Sequence, residues 1–108
     1  MSELSALNDA IRNLNKLYSV CTDDKQCEQI LEMRDKLDAQ ATELANKTLR
    51  EGSQELNDAT AALNALTIKV TEATNEIKKI ADAFKKTAEV IGQAADAIGK
   101  VAKLIAVL

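Results

Sequence analysis

From Ser53 to Leu108 the chain carries an unbroken apolar heptad, and this repeat restricts the fold more than any other feature. With Leu56 at position a, the a row reads Leu56, Leu63, Val70, Ile77, Phe84, Ile91, Ile98 and Ile105. The d row reads Ala59, Leu66, Ala73, Ile80, Thr87, Ala94, Val101 and Leu108, so Thr87 alone among sixteen positions is not apolar. Apolar residues spaced by threes and fours line one side of a helix and must be covered by a neighbour. The phase passes through residues 71–76 and Gly92 without a stutter, which predicts one continuous helix over about residues 53–108. Such a helix would be roughly 84 Å long.

The stripe widens toward the C-terminal end. Position g changes from Lys69 and Glu76 to Ala83, Val90, Ala97 and Leu104, while position e changes from Thr60, Thr67 and Thr74 to Ala81, Ala88, Ala95 and Ala102. A face spanning a, d, e and g is too broad for a two-helix seam and calls for at least two neighbours. Gly92 and Gly99 both fall at position b, on the outer side, where each weakens the helix by about 1 kcal/mol relative to alanine.

Two shorter helices precede this segment. Leu4, Leu7, Ile11, Leu14 and Tyr18, widened by Ala10 and Leu17, predict a helix over about residues 2–20 with Ser2 as its cap. The stretch "CTDDKQC" follows, in which Thr22, Asp23 and Asp24 offer cap oxygens to the next helix. That second helix is expected over about residues 24–50, with Cys27, Ile30, Leu31, Leu37, Ala41, Leu44 and Thr48 along its stripe. Glu32 with Lys36, and Glu43 with Lys47, have the spacing of helical ion pairs. Gly52 has the place of a left-handed residue closing this helix, and Ser53 that of the next cap. With no proline and three glycines in 108 residues, the composition suits long helices and few loops.

The expected fold is therefore all-α in a single domain over residues 1–108: an antiparallel hairpin or three-helix bundle with a long C-terminal coiled-coil helix. The first two helices, roughly 28 and 40 Å long, cover only the first half of the third. The uncovered face comprises Ile77, Ile80, Phe84, Val90, Ile91, Ala94, Ile98, Val101, Leu104, Ile105 and Leu108. A soluble chain does not normally leave so much apolar surface bare. Pairing of these halves between copies, or with a helical partner, is the first solution. A break near Gly92 or around residues 71–76, closing a four-helix bundle, is the second. A third is a bilayer, since "IGKVAKLIAVL" has the look of an interfacial amphipathic helix.

Cys21 and Cys27 flank the first turn and come within disulfide range in a tight helical hairpin. If they pair, the protein works in an extracytoplasmic compartment, periplasmic or secreted; if not, the cytoplasm is the expectation. Two thiols without any histidine make a poor metal site, and no cofactor motif is present. The absence of histidine also excludes Ser/His and Cys/His nucleophiles, and the acidic residues have the spacing of solvated faces, so no catalysis is expected. A net charge of −3 with two aromatic residues excludes nucleic acid as a partner. Residues 1–58 carry 7 basic and 12 acidic side chains and residues 59–108 carry 7 and 5, a weak basic shift toward the C-terminal half. No secretory signal and no spanning helix is read, because the longest charge-free run in the C-terminal segment is residues 90–95. The function expected is that of a non-catalytic helical interaction protein: adaptor, chaperone, immunity-type inhibitor or structural subunit. The alternative is a small exported membrane-active or pore-forming protein.

Overall fold

A computed structural model describes residues 4–49, 52–75 and 80–108, with Ile80 in its backbone alone. The described residues form four helices: α1 (Ser5–Val20), α2 (Asp24–Leu44), α3 (Gln54–Asn75) and α4 (Ile80–Val107). The expected Ser2 cap and the interface residue Ile77 lie outside the described residues.

The long C-terminal helix is two helices. α3 is described to Asn75 and α4 from Ile80, the two run in opposite directions, and α4 runs through Gly92 without interruption. Of the two break points named by the sequence, residues 71–75 are still helical and the reversal falls just beyond them, while Gly92 lies inside α4. The signal there is weak but physical. Thr71 and Thr74 turn their hydroxyls back onto the carbonyl oxygens of Thr67 and Val70, at 2.9 and 2.8 Å, and Asn75 follows. Threonine and asparagine are mediocre helix formers, and such back-bonding competes with the regular ladder.

Direction follows from the side-chain bonds between helices. Gln26 and Gln40 of α2 donate from Nε2 to the carbonyl oxygens of Phe84 and Ile98, both at 2.9 Å and both across 58 residues of sequence. A constant offset means that α2 and α4 run parallel. Gln93 donates to the Ala62 carbonyl and Lys86 pairs with Glu72, so α3 and α4 run antiparallel. Arg34 donates to Asn15 across the α1–α2 hairpin. Each helix has two close neighbours: α1 and α4 each pack on α2 and α3, and among the described residues no Cα atoms of the diagonal pairs α1–α4 and α2–α3 come within 8 Å of each other. Two antiparallel hairpins thus lie side by side, and the chain between Leu44 and Gln54 links diagonally placed helices. The bundle measures 42 × 20 × 18 Å, the length of α4 alone and half of what a continuous helix would require.

The caps are largely those the sequence offers. Asp23 accepts from the Gln26 backbone N–H at 3.0 Å, and Ser53 Oγ accepts from the Leu56 N–H at 3.2 Å. Gly52 is left-handed, with φ of 78°, but it does not close α2. That helix ends at Leu44, several residues early, where the buried series Ile30, Leu37, Leu44 is exhausted. Lys47 falls beyond it and loses the helical relation to Glu43, whereas Lys36 meets Glu32 at 3.6 Å.

Leu7, Leu14, Leu17, Ile30, Leu37, Leu44, Leu63, Leu66, Val70, Val90, Val101 and Leu104 are fully buried and fill the space between the four helices. In α3 the buried residues sit at a, d and g; in α4 they sit at d and g, with Ile91, Ile98 and Ile105 at the rim. The apolar phase has rotated across the break, which a heptad with four apolar positions permits. A methyl group placed on Gly92 or Gly99 would meet nothing within 4 Å. We expect Gly92→Ala and Gly99→Ala each to raise stability by about 1 kcal/mol in urea unfolding, since only helix propensity changes.

Candidate interaction surface

Most of the face left uncovered by a three-helix reading is spent inside the bundle. Val90, Ala94, Val101 and Leu104 are fully buried, and Ile91, Ile98, Ile105 and Leu108 pack half-buried against the core. The side chain of Ile80 is not described. Phe84 is the exception: it is the one phenylalanine of the chain, it occupies an a position, and it stands 52% exposed. The rotation that buries g and d in α4 is what turns this ring to the surface.

Around Phe84 the surface is built by both hairpins. Asp23 caps α2, which sets the first turn of that helix and aims the Gln26 side chain, itself buried, at the Phe84 carbonyl. Grooves lie on both sides of the ring. Cys21, Thr22, Ala83 and Thr87 line one, and Lys25, Gln29, Ala88 and Ile91 line the other. From Phe84 an apolar ribbon continues down α4 along the α2 side, with Ile91, Ile98 and Ile105 half-buried and Ala88, Ala95 and Ala102 exposed. Gly92 and Gly99 are exposed next to these alanines, so no side chain stands between the helix backbone and whatever approaches it.

The charged row beside the ribbon has a direction. Asp82, Glu89 and Asp96 come first and Lys103 last. Lys86 meets Glu72 at 3.6 Å and Glu89 at 3.8 Å, and Lys100 meets Asp96 at 3.2 Å. These pairs are solvent-exposed and individually contribute little to stability. Lys103 forms no ion pair among the described residues.

Cys21 and Cys27 form the disulfide that their spacing suggests, with Cα atoms 5.7 Å apart. Among the described residues there is no group of acidic, histidine or cysteine side chains placed to hold a metal ion. None of the described helices is long and apolar enough to cross a membrane. No protein family, curated protein or solved structure matches the chain.

The burial of Gln26 escaped the sequence reading. Gln26 lies four residues before Ile30, on the line of Ile30, Leu37 and Leu44, and this alignment was the available signal for its burial. Thr87 was legible as the one polar d residue, but its neighbours were not.

Exposed Phe84 and buried Leu104 should differ sharply on truncation. Phe84→Ala is expected to cost about 1 kcal/mol or less, and Leu104→Ala about 2–5 kcal/mol, both by denaturant unfolding. Replacing both cysteines with serine should cost roughly 2–3 kcal/mol, the loop-closure contribution of so short a cross-link.

Proposed function

We propose that the protein is a non-catalytic helical interaction protein that pairs with a second copy of itself through the outer side of α4. The exposed ring of Phe84 at the head of a continuous apolar ribbon carries this reading. A half-exposed aromatic flanked by grooves is the kind of anchor on which interfaces concentrate their energy. The exposed row of Ala88, Gly92, Ala95, Gly99 and Ala102 supports close approach of a second helix.

Charge favours a copy of the same helix in antiparallel orientation. If two α4 helices cross near Ala95, each charged row lies against its counterpart, and Glu89 comes opposite Lys103 of the other copy. A parallel pair would instead set the charged row over the apolar ribbon, desolvating carboxylates without partners. Asp96, nearest the crossing, already has Lys100 beside it at 3.2 Å. The disulfide suits an oxidising compartment for this work.

Light scattering across a concentration series tests the reading. Pairs of α4 touching in this way give a dimer that Phe84→Asp dissociates without unfolding the bundle, because the ring is half outside the core. Glu89→Lys and Lys103→Glu should each weaken the dimer about tenfold, close to 1.4 kcal/mol, and the double reversal should restore it. A wild-type monomer at every concentration rejects self-pairing. Leakage of anionic liposomes by that monomer would favour a membrane-active protein instead.

A further inference from the structure

The disulfide sits at the end of the bundle where the described side chains between α2 and α4 are small or polar. At this end α1 and α3 supply Leu17, Val70 and Ala73 to the interior. Opposite them, α2 and the first two turns of α4 supply Gln26, Ala83 and Thr87. Gln26 and Thr87 are the buried polar residues among the described ones, and Ala83, although buried, lies outside the continuous apolar core. Small and polar side chains bring little hydrophobic stabilisation to the α2–α4 contact here. Among the described residues, the hydrogen bond from Gln26 to the Phe84 carbonyl joins the two helices here. Gln26 in turn stands between the capping Asp23 and the cross-linked Cys27, within the loop that the disulfide closes. Cys21 also lines the groove under Phe84.

We infer that the Cys21–Cys27 disulfide is a redox latch on the Phe84 surface: oxidised, it fixes Gln26 against α4, and reduced, it lets the head of α4 loosen while the rest of the bundle stays folded. The reductant is a dithiol. Its thiolate attacks one sulfur, the Cys21–Cys27 bond breaks through a mixed disulfide, and the reductant closes to its own disulfide. Two electrons and two protons end on the two cysteine thiols. The loop over residues 22–26 then regains its freedom, the first turn of α2 frays, and the bond to Phe84 is lost for part of the time. The leucine layers around Leu14, Leu37, Leu63 and Leu104 do not depend on this turn. The inference rests on the reading of Phe84 as a docking residue for its purpose, though not for its physics.

Hydrogen exchange of the full chain, kept dilute so that association does not contribute, tests the latch. Dithiothreitol should accelerate exchange at least tenfold for residues 26–30 and 84–90, and leave residues 63–66 and 101–104 unchanged. The Cys21→Ser/Cys27→Ser chain should behave as the reduced form without any reductant. Gln26→Leu, with the disulfide intact, should open residues 84–90 and make them indifferent to reductant, which separates the latch from general destabilisation. Unchanged exchange at 84–90 on reduction overturns the inference, and so does acceleration spread evenly over all four helices. The readout needs no second copy, so a monomeric chain would sink the pairing proposal and leave this one to stand or fall by itself.

Discussion

A helix with apolar side chains on four of its seven heptad positions has to touch two neighbours, and α4 is such a helix. Its breadth determines much of the rest. Val90, Ala97 and Leu104 at g, and Ala94 and Val101 at d, lie at zero exposure only because α2 covers one flank and α3 the other. Covering both flanks within one chain requires α4 to fold back along α3, and this in turn requires the break after Asn75. The ring order of the helices follows as well. A helix that needs both α2 and α3 leaves those two on opposite sides of it, so the chain must link them diagonally between Leu44 and Gln54.

The same geometry separates what sequence could disclose from what it could not. The α1 and α2 stripes apart from the exposed Tyr18 and Thr48, the capping roles of Asp23 and Ser53, the left-handed Gly52 and the cysteine pairing are local. Each follows from spacings shorter than two helical turns. The breadth of the α4 face was equally legible, and with it the need for two neighbours. Whether the neighbours belong to the same chain was not. Heptad spacing records the angular position of apolar residues on a helix, and a chain that reverses direction between α3 and α4 can keep that spacing unbroken. The back-bonding threonines were the only local mark. Once the helix is broken, the second piece is free to rotate about its axis. It settles with g and d inward and a at the rim, which leaves Ile91, Ile98 and Ile105 half-buried and turns Phe84 outward.

An outward Phe84 is therefore not a stray surface residue. The phase of α4 sets the whole a row at the rim of the bundle, where Ile91, Ile98 and Ile105 are half-buried and Phe84, at the head of the row, is exposed. At its level the interior offers Gln26 and Thr87, a polar lining beneath a ring. Exchanging the phases to bury Phe84 would expose Val90 and Leu104 and strand Gln26 without the Phe84 carbonyl. The ring's position is thus fixed by residues up to three turns and more away from it.

The glutamines show how such a bundle keeps its register. Leucine layers specify distance between helices but tolerate sliding, because one apolar contact resembles the next. Gln26 and Gln40 sit fourteen residues apart on α2 and reach carbonyls fourteen residues apart on α4, so any slip of the parallel pair would break both bonds at once. Gln93 sets α4 against α3 in the same way, at Ala62. At the Leu44 end, aliphatic packing reinforces this register. At the Cys21 end the described α2–α4 packing is small and polar, and there the Gln26 bond and the cross-linked turn that positions it hold the register. Covalent closure is placed beside the turn that presents Gln26 to the Phe84 carbonyl, which is why its loss should be felt first at the head of α4.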